Sequence, residues 1–356
     1  MPVLAAILVL AILIVVHEAG HFAAARLQNI HVNRFSIGFG PVLLKYQGEQ
    51  TEYALRAFPL GGFVGFPDDD PDSDIPPDDP NLLRNRPLLD RAIVISAGVI
   101  ANLIFAYFLL VGQDAVVGIL EFDQPGVVIP EIVSEENSPA QQAGIQVGDI
   151  ILEVNSEPLG NSVQVLNIFQ QIIQDLPNQP LDLTVQRAAQ SIHLTVTPEL
   201  GSDGKGKIGV MLKHNGEVIH RRPHSLWEPF VVGEAEFQRV SLLTIQGFWQ
   251  LISHFGEHAN QVAGPVKIVE FGANLARNDA GSLFQFAALI SINLAIINIL
   301  PLPALDGGQL GFLLIEGLRG KPLPTQIQDG IMQTGLVLLL SLGVFLIVKD
   351  TLDLFQ

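Results

Sequence analysis

Cysteine is absent from the 356 residues of this chain. That excludes disulfides, thiolate-bound zinc, iron–sulfur clusters and a cysteine nucleophile, so any metal must rest on His, Asp or Glu. Charge is scarce as well. Asp, Glu, Lys and Arg make up 15% of the sequence, against about 25% in an ordinary soluble domain. Positive charge is the scarcer sign: 19 Lys and Arg stand against 36 Asp and Glu, a net charge of −17. This balance excludes a basic nucleic-acid binder, whose affinity would come from neutralising phosphates. Repeats at solenoid periods are missing too. What abounds is apolar: 48% of the residues are hydrophobic and the mean hydropathy is +0.38. Together these features point to membrane spans.

Four stretches are long enough to cross a bilayer, which takes about 20 apolar residues. They are residues 1–25, 92–112, 283–308 and 330–348. The first begins without the positive charge of a signal peptide, and it contains His17, Glu18 and His21, which a cleaved leader has no reason to carry. Seven Lys or Arg lie between the first two spans, and Arg319 and Lys321 follow the third. The long middle segment has nine over a much greater length. Basic density therefore predicts that the first and third connections are cytoplasmic, with both termini and the middle segment on the other side.

Between the first two spans, residues 26–91 divide into two parts. Residues 33–46 and 51–66 alternate apolar and polar in places, around Gln47–Gln50, which predicts a β-hairpin followed by the pair Gly61–Gly62. Seven Asp between 68 and 79, interleaved with Pro, then predict an exposed, solvated loop. Their spacing does not match a known calcium loop. Residues 113–215 contain a compact soluble module. Strands are expected at Gly126–Ile129, Ile150–Val154, Leu181–Arg187 and Ile192–Thr197. A short helix is expected after Ser138 as N-cap with Pro139 in its first turn, and a second from Ser162 to Leu176. Residues 216–282 are amphipathic, which suits helices at the membrane surface or a packed subdomain.

His17-Glu18-Ala19-Gly20-His21 carries the chemistry. On a helix, residues four apart share a face, so both imidazoles can bind one Zn²⁺, and Glu18 can serve as general base toward the attacking water. Two core histidines would be the plain alternative, but ionisable groups inside an apolar span are expensive and mark function. Catalytic zinc takes three protein ligands. Span three ends in Asn298-Ile-Leu-Pro301-Leu-Pro303-Ala-Leu-Asp306-Gly-Gly308. The prolines break the helix, and a buried Asp306 needs a cation, which zinc on His17 and His21 would be. The alternative is Asp306 as a helix cap. His254, Glu257 and His258 form an inverted zinc pattern, but in an amphipathic segment they read as surface residues. A metal transporter would need further acids or histidines along spans two and four, and a scaffold would have a broken metal set; neither pattern is present.

The sequence resembles the site-2 proteases, the intramembrane zinc metalloproteases of regulated intramembrane proteolysis. The resemblance is carried by residues 17–21, Phe35–Pro41, Pro59–Gly62, Ala97-Gly98 with Asn102, a PDZ-like module, Gly264-Pro265-Val266 and Asn293–Gly308. Gly65–Pro71 further resembles the cyanobacterial and chloroplast branch. Val99 stands where relatives often have Pro, and Gln309 where many have His. The resemblance implies a polytopic α-helical membrane protein with four transmembrane helices, a membrane-associated β-hairpin and an inserted α+β PDZ-like domain. It implies His17, His21 and Asp306 as Zn²⁺ ligands, Glu18 as catalytic base, and Asn298 as a holder of the extended substrate backbone. The implied substrates are single-span membrane proteins, such as anti-sigma factors trimmed first by another protease. The hairpin would pair with an unwound substrate by strand addition. A peptide or substrate tail at the PDZ-like module would use a groove starting near Gly126, Val127 and Val128. The implied location is a bacterial plasma membrane or a thylakoid, with the termini and PDZ-like module extracytoplasmic.

Overall fold

The computed structural model describes residues 2–70, 73–133, 138–254, 256, 262–279 and 281–353, with the side chains at 59, 60, 69 and 278 left aside. The chain forms two compact units, residues 1–113 with 227–356, and residues 114–226.

In chain order the first unit starts with α1 (Pro2–Leu27), β1 (Arg34–Gln47), β2 (Glu52–Gly65) and α2 (Leu88–Val116). The second contains β3 (Ile119–Phe122), β4 (Val127–Val128), α3 (Pro139–Gln142), β5 (Ile150–Val154), β6 (Glu157–Pro158) and α4 (Val165–Asp175). It continues with β7 (Leu181–Arg187), β8 (Gln190–Val196), β9 (Glu199–Leu200), β10 (Gly206–Lys207), β11 (Lys213–His214) and β12 (Val218–Arg221). The first unit resumes with α5 (Glu228–Ser253), α6 (Pro265–Asn278), α7 (Ser282–Ile299), α8 (Asp306–Arg319) and α9 (Thr325–Asp353).

Four of these helices, α1, α2, α7 and α9, are long and apolar enough to cross a membrane. Each sits on one of the apolar stretches of the sequence. The third is shorter than the stretch 283–308: α7 stops at Ile299, and Asp306 opens a separate helix, α8, that the sequence pattern does not announce. Pro301 and Pro303 account for the stop, since neither can donate to an i−4 carbonyl. Helix α6 packs along α1 and α9, and α7 packs against α1 and α5. Helix α6 has Pro265 in its first turn and no capping side chain of its own. Asp350, fully buried on α9, supplies the cap: its carboxylate accepts from Gly264 N at 3.3 Å and Lys267 N at 3.0 Å. That satisfies two donors that would otherwise be orphaned at the helix start.

The expected hairpin is more than a hairpin. Arg34–Ile37 pairs in parallel register with Glu52–Leu55 and in reverse with Gly62–Gly65, while Leu44–Gln47 pairs in reverse with Glu52–Leu55. Each strand therefore bends and doubles, giving four sheet segments. The acidic loop is exposed at Asp74, Pro76, Pro77 and Asp78, as expected, but three of its carboxylates have partners in the fold. Asp68 accepts from Leu83 N and Arg84 N, Asp70 from Asn33 Nδ2, and Asp79 from Asn81 N. Asp68 and Asp79 thus accept from backbone N–H groups, as short acidic side chains can.

In residues 114–226 the main sheet runs β11-β4-β5-β7-β8, with β6 on β5. Helix α4 lays Val165, Phe169 and Ile173, spaced one turn apart, into a core with Val127, Ile129, Ile151, Leu181, Leu183 and Val185. The two helices start differently from the sequence expectation. Ser138 makes no capping bond and its buried Oγ has no hydrogen-bond partner, while α4 begins at Val165 behind Gln164 rather than at Ser162. The groove expected at Gly126–Val128 is not available. Val127 is fully buried, and β4 is paired on both edges, by Lys213–His214 and by Ile150–Ile151. A strand with both edges filled cannot accept a peptide. An open groove of about 590 Å³ lies elsewhere in this unit, between α4 (Leu166, Gln170, Ile173) and the segment Ile208–Leu212. That segment has one edge tied to residues 131–133, through Met211 N to Glu131 O and Val133 N to Gly209 O, both 2.9 Å.

Candidate metal centre

His17 and His21 lie one helical turn apart on α1, and their rings meet edge to face with centroids 4.8 Å apart. Helix α2 passes close behind them because residue 98 is Gly. A Cβ there would come within 2.3 Å of His21 Nε2 and 2.8 Å of His17 Cε1. The rings are held from the α2 side. His21 Nδ1 lies 2.8 Å from Val94 O. A carbonyl only accepts, so Nδ1 carries the proton and Nε2 keeps its lone pair. Behind His17, Nδ1 is 3.3 Å from Asn102 Nδ2.

Asp306 arrives from the broken end of α7. Between the helices, Leu302 N bonds Leu300 O at 2.6 Å, and Ala304 adopts φ +67°. The left-handed region costs an alanine about 1–2 kcal/mol, and it turns the chain so that Asp306 becomes the first residue of α8. A carboxylate is favoured at that end of a helix. Gly307 lets α8 press on the end of α7: a Cβ there would meet Leu300 O at 2.2 Å. Further along α8, Glu316 pairs with Arg91 of α2.

The three side chains converge. His17 Nε2 is 3.3 Å and His21 Nε2 3.4 Å from Asp306 Oδ2, and the two Nε2 atoms are 3.2 Å apart. A tetrahedral zinc with bonds of about 2.0–2.1 Å has its ligand atoms roughly 3.3–3.4 Å apart. The triangle has that size. Asp306 Oδ2 is buried and receives no hydrogen bond of proper geometry. Such an uncompensated acceptor fits a cation better than an empty corner. Among the described residues, this is the only trio of His, Asp or Glu able to hold a metal ion.

Glu18, half-buried on the next position of α1, stands within electrostatic reach of all three groups, and the Val64 backbone N–H of the β-sheet points at its carboxylate. Asn298 is half-buried one residue before the end of α7. His254 follows the last turn of α5, whereas Glu257 and His258 lie outside the described residues. The sequence reading singled out no role for Gly98, Val94 or Asn102. Gly98 and Asn102 stood in a family motif, but no local signal tied them to the histidines.

The sequence pattern of Peptidase family M50 matches residues 5–342. A Nostoc protein named "Putative zinc metalloprotease all3971" is 65% identical over 99% of this chain and 97% of its own length. The "Membrane metalloprotease ARASP, chloroplastic" of Arabidopsis thaliana is 48% identical over 99% of this chain and 79% of its own. Among solved structures, the PDZ domain of an SdrC-like protein from Listeria monocytogenes covers 25% of this chain and 88% of its own. Its TM-score is 0.22 and its identity 15%.

Proposed function

The chain belongs to Peptidase family M50, the site-2 protease family, and on that premise we propose that it cuts the transmembrane segments of single-span membrane proteins in regulated intramembrane proteolysis. His17, His21 and Asp306 hold the zinc of this metalloprotease, and Glu18 is the catalytic base. The observation that carries this reading is the triangle of 3.2, 3.3 and 3.4 Å between the three ligand atoms. Zinc, when bound, supplies Lewis acidity to the scissile carbonyl and to the attacking water.

The chain's own residues do the rest. Glu18 takes a proton from the attacking water and returns one to the leaving amine. The α1–α2 packing around Gly98 and the first turn of α8 fix the ligand atoms. Asn298 holds the substrate backbone beside the break in α7. A transmembrane substrate hides its peptide bonds in i→i−4 pairs, so it must unwind locally. The four-segment sheet, whose Val64 reaches Glu18, offers an edge on which the unwound stretch pairs. Anti-sigma factors already trimmed by another protease have the right form. Basic density supports cytoplasmic first and third connections, with the termini and residues 113–215 on the other side, in a plasma or thylakoid membrane. A peptide or substrate tail at the PDZ-like domain would lie in the groove between α4 and Ile208–Leu212, not at Gly126–Val128.

The test compares wild type with Glu18→Gln in detergent, on a single-span substrate with a short extracytoplasmic tail. Both should hold zinc, and the variant should cleave about 10²–10⁴-fold more slowly. Absence of zinc from the wild type would sink the site, and equal cleavage by the variant would sink the role of Glu18.

A further inference from the structure

Two imidazoles that ligate through Nε2 each need an acceptor behind Nδ1, because the ring proton must sit there. His21 has one in the carbonyl of Val94, at 2.8 Å. Among the described residues, His17 has no backbone acceptor behind Nδ1. What stands behind it is Asn102, a side chain with 0% exposure in the middle of α2.

Asn102 is polar, fully buried and incompletely used. Its Nδ2 is 3.3 Å from His17 Nδ1, while its Oδ1 is buried with no hydrogen-bond partner. A buried amide oxygen without a donor costs about 1–3 kcal/mol. With Nδ2 facing the ring, the ring proton is on Nε2, and that nitrogen cannot ligate. A half-turn of the amide exchanges its two ends in nearly the same space. It removes the tautomer fault: Oδ1 accepts from His17 Nδ1–H, and the lone pair of Nε2 turns toward Asp306 and His21.

We propose that Asn102 is a positioning residue that selects the ligating tautomer of His17. The proposal rests on the zinc reading of the site. The surroundings hold the amide in place. The backbone carbonyl of Asn102 accepts from Ser291 Oγ at 2.8 Å, and Ser291 is itself fully buried on α7. That bond fixes the position of residue 102 along α2.

The experiment measures zinc transfer to a chelator of known affinity, using the full chain in detergent, for wild type, Asn102→Leu, Asn102→Asp and His17→Ala. Leu keeps the volume and removes the acceptor; Asp keeps the shape and can only accept. Asn102→Leu is expected to bind zinc about 10–100-fold more weakly. Asn102→Asp is expected to bind at least as tightly as wild type and to keep the wild-type cobalt(II) absorption spectrum. Wild-type zinc retention by Asn102→Leu, or loss in Asn102→Asp equal to that in Asn102→Leu, overturns the inference. Should Asn102→Leu fail to fold, the isosteric Asp variant decides alone, and a tenfold loss there is the overturning result. A wild type without zinc, or a His17→Ala variant that binds as wild type does, removes the metal site itself and this inference with it.

Discussion

The two units are built on opposite rules. In residues 114–226, the buried side chains are Val127, Ile129, Ile151, Phe169 and their neighbours, and strand residues facing away are exposed. In the other unit, α9 exposes Leu336, Val337, Leu338 and Leu340, while Asn102, Ser291 and Asp350 are fully buried. One unit hides apolar groups from water. The other presents them outward and keeps its polar groups for internal hydrogen bonds, as a lipid-facing bundle must. The difference teaches where function can sit: a buried His or Asn is an anomaly in the first kind of interior and the working material of the second.

Three substitutions test that contrast. The largest effect is expected for Phe169→Ala, which empties the centre of the core of residues 114–226 and should cost that unit about 3–5 kcal/mol. Its denaturation midpoint should fall while bound zinc stays. A matching loss of zinc would show that the units are not independent. Next comes Leu338→Asp, at a position 65% exposed near the middle of α9. On a water-facing surface it would be nearly silent; at the centre of a span it should cost about 2.5–3.5 kcal/mol of insertion. A glycosylation-reporter insertion assay reads it, and an unchanged insertion fraction would count against α9 as a span.

The smallest effect is expected for Arg187→Gln. Asp149 is buried, which pushes its carboxyl pKa up, but Arg187 at 2.7–2.8 Å and the Gln146 backbone N–H bring it below the ordinary carboxylate value. The folded state thus binds its proton less readily than the unfolded chain. The stabilisation is present above the unfolded pKa of about 3.9 and is lost as pH falls through the lower folded value. Arg187→Gln should lower stability slightly at neutral pH and flatten the acid limb of stability. An unchanged acid limb would remove the pair from the account.

Legibility in the sequence followed the range of the interactions. The pairing of His17 with His21 needs only helical spacing, and the break before Asp306 needs only two prolines, so both could be read locally. The four long helices announced themselves by hydropathy. What could not be read depends on distant chain. The hairpin folds back on itself because Arg34–Ile37 finds two partners at once. The peptide groove was assigned to β4 because nothing local says that Lys213–His214 will cover that strand's free edge. The acidic loop looked solvated because its donors, Leu83 N, Arg84 N and Asn33 Nδ2, come from outside it. Asn102 stood in a recognisable motif, but its relation to His17 exists only where two helices cross with a glycine between them.

The cap that Asp350 places on α6 also sets an order of events during synthesis. A ribosome delivers α1 first, with both histidines aboard. Helix α6, which lies along α1, follows much later, and its opening turn is closed only once Asp350 has been added. A nascent chain shorter than that holds α1 but lacks the residue that caps α6. The helix that carries His17 and His21 is thus made well before the residue that caps its neighbour.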